Sequence, residues 1–170
     1  MERNLFWGVK APNKKIYLID GHHKVRSLMN LGLESLPITI VDDLSNLSEH
    51  HFWETMITNK WIYLKNHHGE ELSSSELPHS FKELKNDPYR SLAWFIRKNK
   101  IYKKDGKPFQ EFEWANFLRK NLSGIEITSL EDIRQNSDHI LNLIYSPPAL
   151  ELRGHQGDGD KQEYLDTNIY

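Results

Sequence analysis

The spacing of apolar positions changes abruptly at Asp20-Gly21, and the residues on either side of that change predict a compact structural unit. Ile16, Tyr17, Leu18 and Ile19 form a short apolar run rich in β-formers, which predicts a buried strand. Asp20-Gly21 interrupts the run, since glycine allows the backbone conformations that a sharp exit needs. Val25, Leu28, Met29 and Gly32 then share one helical face, while Lys24, Arg26 and Asn30 fall elsewhere. A helix is therefore predicted from about His22, with Gly32 at its end. Leu36–Val41 predicts a second strand, with Pro37 tolerated near its start. A further short strand is expected over Leu5–Val9, ahead of a turn at Pro12-Asn13.

Downstream the period is mostly helical. Ser48–Trp61 predicts a helix that buries Phe52, Trp53, Met56 and Ile57. Trp61–Leu64 reads as extended, and the Asn66–Gly69 and Ser73–Ser75 stretches as loop. Asp87-Pro88 starts another helix, with Asp at the N-cap and Pro at the first helical position; Tyr89, Leu92, Ala93 and Ile96 form its apolar face. Gln110–Leu122 is expected to be helical and, because Trp114 and Phe117 lie off the stripe of Phe112, Ala115, Leu118 and Leu122, buried on more than one face. Thr128-Ser129-Leu130-Glu131 reads as a capping box opening one long last helix, with Leu130, Ile133, Ile140, Leu141 and Ile144 along its stripe. After Pro147-Pro148, scattered glycines among polar residues predict a flexible tail over 149–170. The expected fold is α/β (α+β): a small mixed sheet followed by a helical C-terminal half, in one domain over 1–148.

Composition narrows the chemistry. The chain of 170 residues is long enough for a proper core, and its 38% hydrophobic and 27% charged content is ordinary for a soluble protein. A formal net charge of -2 provides no global attraction to nucleic acid or anionic membrane. With no cysteine, disulfides, thiolate metal sites and cysteine nucleophiles are excluded. No apolar run approaches a membrane span, and Met1–Lys14 lacks the apolar core of a signal peptide, so a cytoplasmic location is expected.

The candidate chemistry lies at the turn. A helix opening near His22 leaves its first backbone N–H groups without intrahelical partners, and the helix dipole adds partial positive charge there. His22, His23, Lys24 and Arg26 surround that end with donors or cations, which suits an anion such as phosphate. The alternative is that Asp20 caps the helix and the basic residues are merely solvated. Asp42 and Asp43 either help to hold Mg²⁺ or open a turn. Of three His-His pairs, those at 22-23 and 50-51 lack the spacing of a zinc site on a helix, and that at 67-68, in a predicted loop, lacks a Cys or acidic partner. Six basic residues over Arg97–Lys107 read as a solvated helix end. Arg90 and Glu111 either form a structural pair or serve the anion site.

YLIDGHHKVRSLMNLGLESLPITIVDD resembles the second sequence box of the ParB/sulfiredoxin superfamily: strand, acidic or glycine turn, basic cluster, helix, glycine, then a Val/Ile-rich strand. The Asp-Gly-His-His form is similar to the ParB-like subfamily labelled as nucleases and to the ParB-like free serine kinases. DPYRSLAWFIRKNKIYKKDGKPFQEFEWANFLR, from Asp87 to Arg119, resembles the C-terminal half of the nuclease-labelled subfamily. In the superfamily this turn holds nucleotide phosphates, of CTP in ParB proteins and of ATP or ADP in sulfiredoxin and the serine kinases. The resemblance therefore implies a nucleotide (ATP, ADP or CTP) with Mg²⁺, bound over Gly21, His22 and His23. Lys24, Arg26 and Arg90 would neutralise its charge, and Asp20, Asp42 or Asp43 would hold the ion. It also implies an ATP-dependent phosphotransferase, with His22, His23 and Asp20 as catalytic candidates. The alternatives are a nuclease or DNA-binding protein and a non-catalytic binding module. The expected partner is a nucleotide or phosphorylated small molecule, or else nucleic acid. The serine kinases place a catalytic Glu ahead of the turn, where only Glu2 is available. Sulfiredoxin's own reaction is excluded by the absence of cysteine.

Overall fold

The computed structural model describes residues 6–157 and 165–169, except for the side chains of His23 and Ile169. The chain forms two compact units, Met1–Lys85 and Asn86–Tyr170.

The first unit is built on a three-stranded sheet in the order β2-β1-β3. Strand β1 (Trp7–Lys10) is central; β2 (Ile16–Asp20) joins it antiparallel and β3 (Thr39–Asp43) joins it parallel. The turn between β1 and β2 closes through the Ala11 N–H to Lys15 carbonyl bond (2.9 Å). As an edge strand β2 is only half-buried, not fully buried as its apolar run predicted. Tyr17 and Ile19 pack on the core while Ile16 remains 49% exposed. Strand β3 starts at Thr39 rather than Leu36, so Pro37 precedes the strand and Asp42 and Asp43 lie within it.

Helix α1 (His22–Asn30) crosses from β2 toward β3 and buries Val25. It ends where the sequence places its end. Gly32 sits at φ +88, its N–H donates to Met29 O (3.0 Å), and Leu33 N–H donates to Leu28 O (3.2 Å). These paired bonds satisfy carbonyls that the last helical turn leaves open, and the positive φ favours glycine. Helix α2 (Glu49–Thr58), capped by the Ser48 side chain, brings Phe52 and Met56 onto Val9 and Ala11. Tyr17 meets Phe52 and Trp53 at ring-centroid distances of 5.4 and 5.2 Å. Ile57, expected in the buried stripe, is exposed. On the other face of β1, a Cβ at Gly8 would lie 2.7 Å from Ile16 and 2.9 Å from Ile38, so glycine permits that close packing.

The second unit is helical. Helices α3 (Pro88–Lys98) and α4 (Gln110–Asn121) pack together through Leu92, Phe95, Ile96, Trp114, Ala115 and Leu118. Trp114, off the predicted stripe, is fully buried and stacks on Tyr102 (4.4 Å between centroids). The predicted last helix is two: α5 (Leu130–Gln135) and α6 (Ser137–Ile144), broken at Asn136. The Asn136 amide donates to Asp132 O (2.8 Å), a side-chain bond that competes with continued helix. The capping box is shifted by one residue, to Ser129 and Asp132.

Residues 149–157, expected in a flexible tail, are packed. Helix α7 (Pro147–Leu150) buries Ala149, Gln110 Nε2 and Trp114 Nε1 donate to Arg153 O (2.8 and 3.1 Å), and Lys103 N–H donates to Gly154 O (2.9 Å). Leu165 also joins the core. Glycine and charge content signalled a tail, but the ordering comes from long-range bonds that composition does not display. Among the described residues, no helix is long and apolar enough to cross a membrane.

Candidate functional site

Strand register sets where the carboxylates of the first unit lie. Asp20 pairs with Trp7 at one end of β1, and Asp43 pairs with Lys10 at the other. Three residues of strand rise and two inter-strand spacings separate them, about 10 Å in each direction. One ion cannot join Asp20 to Asp43. Asp43 is also engaged locally: its Oδ2 meets Lys10 Nζ (2.9 Å), and its Oδ1 accepts from the Ser45 hydroxyl (2.6 Å) and Ser45 N–H (3.2 Å). The Ser45 hydroxyl first, and the Lys10 ammonium second, hold the Asp43 carboxyl down to about 2. Asp42 accepts from the Asp43 N–H (2.8 Å). Among the described residues, no three His, Asp or Glu side chains gather as a metal cluster.

The β2–α1 turn places Asp20, Gly21, His22 and Lys24 at a helix start of unusual composition. Gly21 is the N-cap, in the left-handed region at φ 87 and ψ 10, and its carbonyl accepts the first helical bond from Val25 N–H (2.9 Å). No side chain caps α1, and its first turn contains no acid. Asp20, the alternative cap, instead accepts from the Gly21 N–H through Oδ1 (2.7 Å). Counting from Gly21, Lys24 occupies the third helical position and is exposed. Neither Lys24 nor Arg26 has an ion-pair partner among the described residues.

The start of α3 is similar in sequence position and different in charge balance. Asp87 caps it by accepting from Tyr89 N–H (3.0 Å) and Arg90 N–H (3.1 Å), and its Oδ2 receives Arg119 (2.6 Å). Arg90, a cation at the third position, forms an ion pair with buried Glu111 and lies over the Phe112 ring. Glu111 is bound a second time by Arg97 Nε (2.6 Å). Arg90 and Glu111 are therefore the structural pair of the two alternatives read from sequence. Arg97 and Arg119 were not singled out as pairing residues, because a salt bridge between separate helices leaves no periodic signal.

The 50-51 and 67-68 histidine pairs make local contacts. His50 meets Glu54 (3.3 Å), His51 meets the Ser48 hydroxyl (3.0 Å), and the His67 and His68 rings contact each other in the loop. Glu2 lies outside the described residues.

Comparison with known proteins agrees with the two stretches that carry the sequence resemblance. Residues 1–120 match the family described as "Putative ParB-like nuclease". The crystal structure of protein Atu1540 from Agrobacterium tumefaciens is similar at a TM-score of 0.80 and 31% sequence identity, over 89% of this chain and 78% of that chain. No curated relative matches significantly. The matched span includes the Asp20–Arg26 turn and reaches past α3 almost to the end of α4, and on it this chain belongs to the ParB-like nuclease family.

Proposed function

We propose that the start of α1 binds the phosphate of a nucleotide and that the chain uses this site for phosphoryl or phosphodiester chemistry. One observation carries the reading: Lys24 stands at the third position of a helix whose cap is a glycine, with no acidic partner among the described residues. A cation is unfavourable beside the positive end of a helix dipole unless an anion compensates it. In α3 the protein supplies that anion itself, through Asp87 and Glu111. In α1 a bound phosphate would supply it. Gly21 has no side chain to obstruct approach to the backbone, and the N–H groups of the first turn would donate to phosphate oxygens. Lys24 and Arg26 neutralise charge in this scheme, and His22 and His23 provide acid or base.

Of Asp20, Asp42 and Asp43, Asp20 is the carboxylate beside the start of α1, the other two lying in β3. Asp20 uses one carboxylate oxygen locally, through the Gly21 N–H, whereas both oxygens of Asp43 are engaged at the far end of the sheet. Mg²⁺ commonly takes one or two carboxylates together with substrate phosphates, so Asp20 is the residue that would hold it. The ion would supply charge neutralisation on the phosphate.

The nucleotide reading, with ATP, ADP or CTP as ligand, rests on the turn. Cleavage of nucleic acid is the second reading, favoured by the description of the matched family. Thermal-shift titrations with each nucleotide, with and without Mg²⁺, separate the two when run beside a cleavage assay on labelled DNA and RNA. The nucleotide reading expects stabilisation by one nucleotide, lost in H22A/H23A. Cleavage lost in the same variant, without stabilisation by any nucleotide, selects the nuclease. Neither effect in the unmodified chain overturns the proposed site.

A further inference from the structure

The segment between α3 and α4 contains five lysines within ten residues: Lys98, Lys100, Lys103, Lys104 and Lys107. All five are exposed, and none has an ion-pair partner among the described residues. The reason lies in how the second unit uses its acids. Every arginine of that unit is paired with one: Arg90 and Arg97 with Glu111, Arg119 with Asp87, Arg134 with Glu131, and Arg153 with Asp105 and Glu113. The carboxylates nearest the lysine segment in sequence, Asp105, Glu111 and Glu113, are thus each bound to an arginine. Asp105 offsets part of the Lys107 charge and Lys98 lies over the Trp94 ring, but none of the five lysines forms an ion pair among the described residues, although the whole chain has a net charge of -2.

These lysines are mounted on a fixed backbone. Ile101 and Tyr102 between them are buried, with the Tyr102 hydroxyl donating to Ala93 O (3.0 Å). Gln156 N–H donates to Ile101 O (3.0 Å), Lys103 N–H to Gly154 O (2.9 Å), and Gln110 Nε2 to Lys103 O (2.8 Å). Buried anchors alternating with outward cations create a persistent positive edge.

We propose that this edge docks the phosphate backbone of a nucleic acid, independently of whether the start of α1 binds nucleotide. Lysines are point charges that neutralise phosphates without reading bases, so binding should be indifferent to sequence. Membrane docking is the poorer fit, because none of the large exposed hydrophobic side chains lies in this segment, and stable attachment to a lipid surface draws on apolar insertion as well as charge.

The test is fluorescence anisotropy of the full chain with labelled single-stranded and duplex oligonucleotides at low and moderate salt. Displacement of about four counterions predicts a loss of affinity of about a hundredfold between 50 and 200 mM salt. The variant K100E/K103E/K104E should lose at least about thirtyfold in affinity, since each lost phosphate contact weakens binding roughly uniformly across sequences. The control K14E/K15E/K60E makes the same change in net charge in the first unit and should lose less than about threefold. Circular dichroism checks that both variants fold. If the first does not, K100Q/K103Q/K104Q replaces it, with the same direction of effect expected. No binding by the unmodified chain at low salt, equal losses in the two variants, or tighter binding to phosphatidylserine vesicles than to either oligonucleotide overturns the proposal.

Discussion

Helices α1 and α3 both place a cation at their third position, Lys24 in one and Arg90 in the other. The charge is equally ill-suited to both helix ends. At α3 an aspartate cap and a buried glutamate meet Arg90 and two further arginines in ion pairs. At α1 there is a glycine cap and no acid in the first turn. A helix start whose cation meets a carboxylate of the protein is architecture; one that leaves its cation for an outside anion is a candidate site. Basic residues in a sequence do not distinguish the two, whereas the position of the acids does.

The comparison can be broken first at the closed end. Glu111→Ala leaves Arg90 and Arg97 in a largely buried setting without their carboxylate, and stability should fall by about 3–5 kcal/mol, read by urea denaturation. A loss below about 1 kcal/mol would place this pair among weak surface bridges and remove the contrast with α1. Asp87→Ala removes the cap and frees Arg119, and should cost about 2 kcal/mol in the same assay. At the open end, Gly21→Ala forces a side chain into the left-handed region, for about 1–2 kcal/mol, and also puts a methyl group where a phosphate would approach. Binding should weaken by more than the fold does; equal effects would make Gly21 a purely structural glycine.

The smallest effect is one of pH. Asp43 in the folded protein titrates at about 2, below its ordinary 3.8, because of Ser45 and Lys10. A depressed folded value means that the stabilisation is complete above the unfolded pKa and is lost as pH falls through the folded one, so the window runs from about pH 4 to about pH 2. Asp43→Asn should flatten acid unfolding within that window and leave neutral-pH nucleotide binding unchanged. Weakened binding would return Asp43 to the site from which strand register separates it.

Local chemistry was legible in the sequence. Gly21 and Gly32 bracket α1, Asp87 caps α3, and the mixed sheet with a helical C-terminal half follows from the change of period. Long-range chemistry was not. Which end of β1 each carboxylate occupies depends on register, and Asp20 and Asp43 look interchangeable until β1 lies between their strands. The pairing of Glu111 with Arg97 joins two helices, and the packing of residues 149–157 depends on a backbone carbonyl at Arg153 that no composition reveals. The break at Asn136 was hidden by an apolar stripe that continues in phase across it.

The most direct test of the contrast is calorimetric titration of ATP, ADP and CTP, with Mg²⁺, into the unmodified chain and into Lys24→Glu. An acid at the third position suits the dipole of α1, so the variant should melt no lower than the parent and gain up to about 1 kcal/mol. It should also repel phosphate and lose at least about tenfold in affinity, about 1.4 kcal/mol. Stability and binding moving in opposite directions is the result that an anion-receptive helix start predicts. Undiminished affinity in Lys24→Glu, or no heat from any nucleotide in the parent chain, would contradict it.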